Sequence, residues 1–378
     1  MPILASLGAG SIGLYRRVVA AGAAVRDYVI YDDINATTKK LRGGTINIVT
    51  GASSEDFAFN IYSSISGGGG WGTSRTDTCR LNGYIGYQSQ GGFYIFNESG
   101  SLVGSKVSPT FYFESTVGVD MCVCGNFIIG LQPISATSSK VWKFDTTTEV
   151  FTELRTISSY TNNIVFGVAQ LKADTIGLSY WNGSPYEYIE TINVNTGTYT
   201  NVWTGSYQIN VSYPSACRTY RLDDTYYFRM RRQGITVVNL EAVDFATNSV
   251  AASADIVPAI GATVKTPRDM RVSRGENTDY IMVPSSIFSS EKFVNILSRD
   301  FSAAPFRVYH GMIGNDSGYY WQQGSGGYYG DQTGTSYIYN SIVITGDGTV
   351  LDSLLFRQID QINQEGNAAA LYITYPSL

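Results

Sequence analysis

The chain has 378 residues, of which 43% are hydrophobic and only 15% charged, with 40 glycines, 28 tyrosines and a formal net charge of −5. That balance excludes a disordered polymer, and the acidic sign excludes a general electrostatic grip on nucleic acid. No run reaches the ~18 consecutive apolar residues of a membrane-spanning helix, and abundant Gly and Tyr favour tight turns and pleated, half-buried strands, so the expectation is an all-β chain.

The N-terminus "MPILASLGAGSIGLYRR" has no basic residue ahead of its apolar part and makes a poor signal peptide. Residues 3–13 hold seven small side chains: Ala5, Ser6, Gly8, Ala9, Gly10, Ser11 and Gly13. Such a segment cannot hold a core of its own. It is expected to be either a frayed tail or an assembly arm that packs into a neighbouring subunit through Ile3, Leu4, Leu7 and Ile12. The glycines of "GAGSIG" (8–13) match a dinucleotide fingerprint, but no β–α–β context follows, and no cofactor is expected. Residues 1–24 are therefore read as an N-terminal arm and 25–378 as one folded domain.

The first folded stretch runs from "RDYVIYDD" to "EDFAFNIYSSI" and lacks a clean opening strand. The next one reads as a meander: "CRL" (79–81), an "NG" hairpin turn, "YIGYQ" (84–88), "FYIFN" (93–97) and "SLVGSKV" (101–107). The same order recurs at 119–155, at 166–203, and from 216, 269 and 311. Third strands are expected to end at Ile48, Phe96, Phe144, Val194, Phe245, Leu297 and Ile344. First strands are marked by Cys79, Cys122, Ala169, Cys217, Met270 and Met312. Both series have a period near 49.

A four-stranded meander repeated seven times is the signature of a β-propeller of seven four-stranded antiparallel blades. Each small sheet has two apolar faces and must stack on its neighbours. The C-terminal run "AAALYITY" (368–375) is a strand without a blade, and it is expected to complete the N-terminal blade and close the ring; "LYRRVVA" (14–20) is the alternative donor. The competing architecture is a pair of unrelated β-sandwiches.

Cys79, Cys122, Cys124 and Cys217 match no zinc spacing, and free buried thiols are the reading. The acidic pairs Asp32–Asp33 and Asp223–Asp224 lack calcium-loop spacing, so no metal is expected. His310 is the single histidine and no serine sits in a nucleophile elbow; the chain is read as not an enzyme.

Two constellations could bind something. Arg80, Arg218 and Arg271 each follow a first-strand marker. On strands next to a central channel they would hold a carboxylate or phosphate; otherwise they pair with acids such as Asp223, Asp224 or Asp269. Trp71, in "GGGGWGTS", and the pair Tyr328–Tyr329 put aromatic faces in polar loops, suited to sugar rings or to a protein partner. Trp181 and Trp321 fit better between blades.

The period and strand order resemble the kelch and WD-repeat propellers, though their blade motifs are absent. Segment "ILASLGAGSIG" (3–13) resembles the Ala/Gly/Ser-rich openings of tailed-phage structural proteins, a group that uses propellers in tail nozzles, hubs and fibre-associated parts. The resemblance implies a non-enzymatic virion component, made in the host cytoplasm and present in several copies in a phage tail. Its partners would be other virion tail proteins and host-surface glycans. A glycan-binding propeller, and a propeller hydrolase or lyase using axial arginines, are the alternatives.

Overall fold

The computed structural model describes residues 25–35, 37–47, 53–65, 77–89, 91–107, 121–135, 137–158, 164–181, 187–205, 218–221, 225–233, 237–256, 273–274, 280–286, 292–298, 306–309 and 367–373. These residues form six four-stranded antiparallel sheets.

The first sheet contains β1 (Val25–Asn35), β2 (Thr38–Asn47), β3 (Ser53–Asn60) and β24 (Asn367–Ile373), in the order β24-β1-β2-β3. The C-terminal strand thus supplies the opening strand that the N-terminal stretch lacks, pairing Tyr28 with Ile373 and Tyr31 with Ala370. The second sheet is β4 (Asp77–Leu81), β5 (Tyr84–Ser89), β6 (Gly92–Asn97) and β7 (Leu102–Val107). The third is β8 (Cys122–Cys124), β9 (Phe127–Ser135), β10 (Ser138–Asp145) and β11 (Val150–Ser158). The fourth is β12 (Ile164–Lys172), β13 (Thr175–Trp181), β14 (Glu187–Asn193) and β15 (Tyr199–Gly205). The fifth is β16 (Arg218–Arg221), β17 (Tyr226–Gln233), β18 (Val237–Asp244) and β19 (Val250–Ile256). The sixth is β20 (Ser273–Arg274), β21 (Tyr280–Ser286), β22 (Lys292–Ser298) and β23 (Phe306–Tyr309). The expected copy from 311 and the alternative donor 14–20 lie outside the described residues.

Local chemistry explains the meanders. Asn82 and Gly83 sit at φ 51° and 81°, the left-handed pair that a two-residue hairpin of matching twist requires. In the second sheet the two middle strands are buried along nearly their whole length, while β7 is half-exposed. Both faces of the middle strands are covered because the sheets stack. First strands of successive sheets lie side by side: β24 and β1 meet β4, β4 meets β8, β8 meets β12, and β12 meets β16.

The core therefore lies between sheets. Tyr31, Tyr87, Phe93, Phe96 and Phe144 join the first three in one apolar cluster. Cys122, Leu131, Leu154, Leu178 and Ile192 join the third to the fourth, and Leu171, Tyr227 and Val243 the fourth to the fifth. Each buried Ile or Phe stabilises by about 1.5–3 kcal/mol. Gly130 lets the third sheet approach the second closely, since a Cβ there would lie 2.4 Å from the Phe93 ring. Cys79, Cys122 and Cys124 are buried thiols in no disulfide, and Cys217 lies outside the described residues.

Third-strand ends fall at Asn47, Asn97, Asp145, Asn193, Asp244 and Ser298, each one residue from the sequence expectation. First-strand register agrees for Cys79, Cys122 and Ala169, which pair with Gly86, Ile129 and Gly177. In the fifth and sixth sheets the equivalent residues are Tyr220 and Ser273, not Cys217 and Met270. The cause is hairpin length: the first-to-second connection has two residues in the second, third and fourth sheets, but spans 222–225 and 275–279 in the next two.

Candidate functional site

The register re-sorts the arginines. The residue that Arg80 occupies in β4, opposite Ile85, is taken by Val123, Gln170, Arg221 and Arg274 in the next four sheets. Arg218 stands three residues further along β16, opposite Met230. Arg271 lies outside the described residues, as do Trp71, Tyr328, Tyr329, His310 and the arm positions Ile3, Leu4, Leu7 and Ile12.

Arg80 is the predicted site residue whose side chain is described. It is only 12% exposed and sits in the joint between the first two sheets. Its Nε and Nη2 donate to Glu98 at 2.9 and 2.6 Å. Nη1 donates to the Gly44 carbonyl at 3.1 Å and to Asp27 at 3.4 Å, and both Nη atoms reach Asp56. The guanidinium also lies over the Phe57 ring, 5.5 Å from its centroid. Burial works against the charge, but the Glu98 hydrogen bond and the carboxylates of Asp27, Glu98 and Asp56 outweigh it and raise its pKa. The fork is spent on ties inside the chain, which fixes one sheet to the next.

Other joints repeat this logic with different residues. Arg155 of β11 donates to Glu190 of β14 at 3.0 and 3.1 Å and covers the Tyr199 ring at 4.0 Å. Tyr180 donates to the same carboxylate at 2.7 Å; burial first, and Glu190 second, push its phenol pKa up. Lys106 of the second sheet covers Phe151 of the third at 5.0 Å, and Arg229 of the fifth covers Trp203 of the fourth at 5.7 Å. Each of these four joints thus carries a cation over a neighbour's ring.

Because strands one and three of every sheet run the same way, the first hairpin and the third-to-fourth turn emerge at one end of the molecule. This short-turn end is cross-linked. Asn82 donates to Thr146 at 2.9 Å, Lys143 to the Val194 carbonyl at 2.7 Å, and Asn248 to the Val202 carbonyl at 2.7 Å, each from one sheet to its neighbour.

Four third-to-fourth turns share one design that the sequence reading missed. Asn97, Asp145, Asn193 and Asp244 close the third strand, and each side-chain oxygen accepts from the turn that follows. In each, a residue three or four places on takes positive φ: Gly100 at 85°, Glu149 at 59°, Gly197 at 74° and Asn248 at 53°. The readable signal was an Asn or Asp after the apolar end of these four third strands, spaced 48, 48 and 51 residues apart.

Among the described residues no group of three or more His, Cys, Asp or Glu is arranged to hold a metal ion, and no helix is long and apolar enough to cross a membrane. No protein-family model matches the sequence, and no curated protein matches it.

Solved structures give distant likenesses. TolB from Acinetobacter baumannii is 11% identical at a TM-score of 0.43, over 75% of this chain and 63% of that one. Dipeptidyl peptidase 4 of Porphyromonas gingivalis is 7% identical at 0.45, over 88% of this chain and 51% of that one. Prolyl oligopeptidase B from Galerina marginata is 7% identical at 0.44, over 78% and 45%. The chain spans well under two thirds of both peptidases and 63% of TolB, and nothing about activity follows from such likenesses.

Proposed function

We propose that the chain is one seven-bladed β-propeller, its first blade completed by β24, acting as a non-enzymatic structural component of a phage tail. The observation that carries the scaffold reading is the stitching of sheet to sheet. Apolar clusters, the ties from Arg80 to Gly44, Asp27 and Asp56, and the hydrogen bonds at the short-turn end all join neighbours. A wheel whose neighbouring blades are tied in this way keeps its faces in fixed relation, which a docking part under load needs. The tail assignment draws on the resemblance of residues 3–13 to the openings of tailed-phage structural proteins, and the partners it implies are other tail proteins.

The test is incorporation into particles. Full-length protein is expected to co-purify with phage tails, and a variant lacking residues 1–13 is expected to be lost from them while melting at the same temperature. Normal incorporation of the shortened protein removes the arm, and absence of the full-length protein from tails removes the virion reading. End-on images of the purified protein should average to seven wedges; six or eight would correct the blade number.

A further inference from the structure

Asn82 and Gly83 form the tip of the β4–β5 hairpin, and both are exposed. Among the described residues Asn82 is the one asparagine followed by glycine. The pairing has a chemical consequence. The side-chain amide of an asparagine is open to attack by the backbone nitrogen of the next residue, and a side chain on that residue crowds the five-membered ring that forms. Glycine has none, and a Cβ at Gly83 would meet nothing within 4 Å, so open space surrounds that side of the turn. In the first hairpin of the third sheet, by contrast, Asn126 precedes Phe127.

Asn82 also ties two sheets. Its Nδ2 donates at 2.9 Å to Oγ1 of Thr146, in the turn after β10 of the third sheet. Thr146 is buried, and its hydroxyl donates its one hydrogen to the Asn126 carbonyl at 2.8 Å. Towards Asn82 that oxygen therefore acts as an acceptor alone. The bond pins the amide, and φ values of 51° and 81° hold the turn, so ring closure waits on a local opening.

We propose that Asn82 is a site of spontaneous deamidation, gated by its hydrogen bond to Thr146, and that the product releases this tie between the second and third sheets. The reaction consumes only water. The Gly83 nitrogen, its proton lost to a base in solvent, attacks Cγ of Asn82. The Cγ–Nδ2 bond breaks, and Nδ2 takes up protons from solvent and leaves as ammonia. Water then opens the succinimide at either carbonyl, giving aspartate or isoaspartate. Both products present a carboxylate, an acceptor, to a hydroxyl already donating elsewhere. Thr146 must give up its bond to Asn126 or face a repelling oxygen. Isoaspartate also adds one carbon to the backbone of a two-residue turn whose twist matched its strands. Ammonia is lost to solvent, so the joint changes in one direction.

Full-length protein is incubated in mildly alkaline buffer beside a synthetic peptide of residues 80–86, and both are followed by mass spectrometry, the protein after digestion. The folded chain should convert at Asn82, more slowly than the free peptide. Thr146→Val should convert about two- to tenfold faster than the wild type, the population change that loss of one ordinary hydrogen bond brings. Thr146→Ser keeps both bonds and should retain the wild-type rate. Asn182–Gly183, measured in the same digests, should be unaffected by either variant and is the internal reference. Asn82→Asp should melt below the wild type. The proposal falls if Asn82 stays intact after the peptide has converted, or if the folded chain and the peptide convert at one rate. It falls equally if Thr146→Val leaves the rate unchanged or speeds Asn82 and Asn182 alike, or if Asn82→Asp melts with the wild type. Should Thr146→Val not fold, the folded chain against the peptide, and Asn82→Asp against the wild type, decide it.

Discussion

Gln88 is fully buried in β5 and makes its hydrogen bonds in two directions. Its amide nitrogen donates to the carbonyls of Ser89 and Gly92 in its own sheet, and to that of Leu131 in the next, at 2.9, 3.0 and 3.0 Å. Its oxygen accepts from the Leu131 N–H at 2.8 Å. The need arises because the β8–β9 ladder runs only to Ile129, so Leu131, paired with Val141 on the β10 side, lies beyond the ladder on its other side. The side-chain amide takes the place of a strand there. Gln88→Leu keeps the volume but orphans both backbone groups, at about 1–3 kcal/mol each. The expected loss is about 2–6 kcal/mol, read as a lower urea midpoint with an unchanged slope. A change under about 0.5 kcal/mol would mean that the two sheets hold together without this tie. Nothing in the sequence marks Gln88, because a contact across sheets leaves no period.

At the scale of elements, the third-to-fourth turns link sequence to pH response. Two are capped by Asn97 and Asn193 and two by Asp145 and Asp244. The Asp145 carboxylate is held below its usual range, first by the Thr147 hydroxyl and then by backbone N–H donors. Asp244 is lowered chiefly by the N–H groups of Thr247 and Ala246. A depressed folded-state pKa means that the unfolded chain takes up protons first as the pH drops. The contribution is therefore complete above the unfolded value of about 3.9 and is lost as pH falls through the folded one. Asp145→Asn with Asp244→Asn should keep both caps, as the two natural Asn turns do, and should shrink the fall in urea midpoint between about pH 5 and about pH 3. An unchanged fall would assign the acid response to other groups. Turn chemistry also decides what was legible. The second sheet could be read almost to the residue because Asn82–Gly83 fixes the hairpin and apolar runs fill the strands. In the fifth and sixth sheets the hairpins lengthen and their tips carry no such pair. The first-strand marker slipped by three residues there, and Arg218 and Arg271 were aligned where Arg221 and Arg274 stand. That Arg80 binds Glu98, Asp27 and Asp56 was not legible, because those acids come from a turn of its own sheet and from two strands of the neighbouring one.

At the scale of the whole molecule, β24 joins residues more than 300 positions apart and fills the edge of the first sheet beside β1. Tyr28, Val29, Ile30 and Tyr31 of β1 are buried, and the backbone edge of this segment is paired by Tyr372, Leu371 and Ala370 among others. Removing the strand uncovers that edge in the middle of an apolar joint, next to β4, so the cost is both lost burial and a reactive strand edge. A chain ending at residue 365 is therefore expected to melt about 5–10 °C earlier and to self-associate in sedimentation. A synthetic peptide covering residues 366–378 should bind the shortened chain, restore the melting temperature and suppress the association, because strand pairing needs register and not covalent continuity. Leu371→Asp in the same peptide should fail, since Leu371 pairs with Ile30, which is fully buried. A shortened chain that stays monomeric, keeps its melting temperature and ignores the peptide would mean that the first sheet is stable with three strands. The stacking of sheets, without the end-to-end seam, would then account for the stability of the fold.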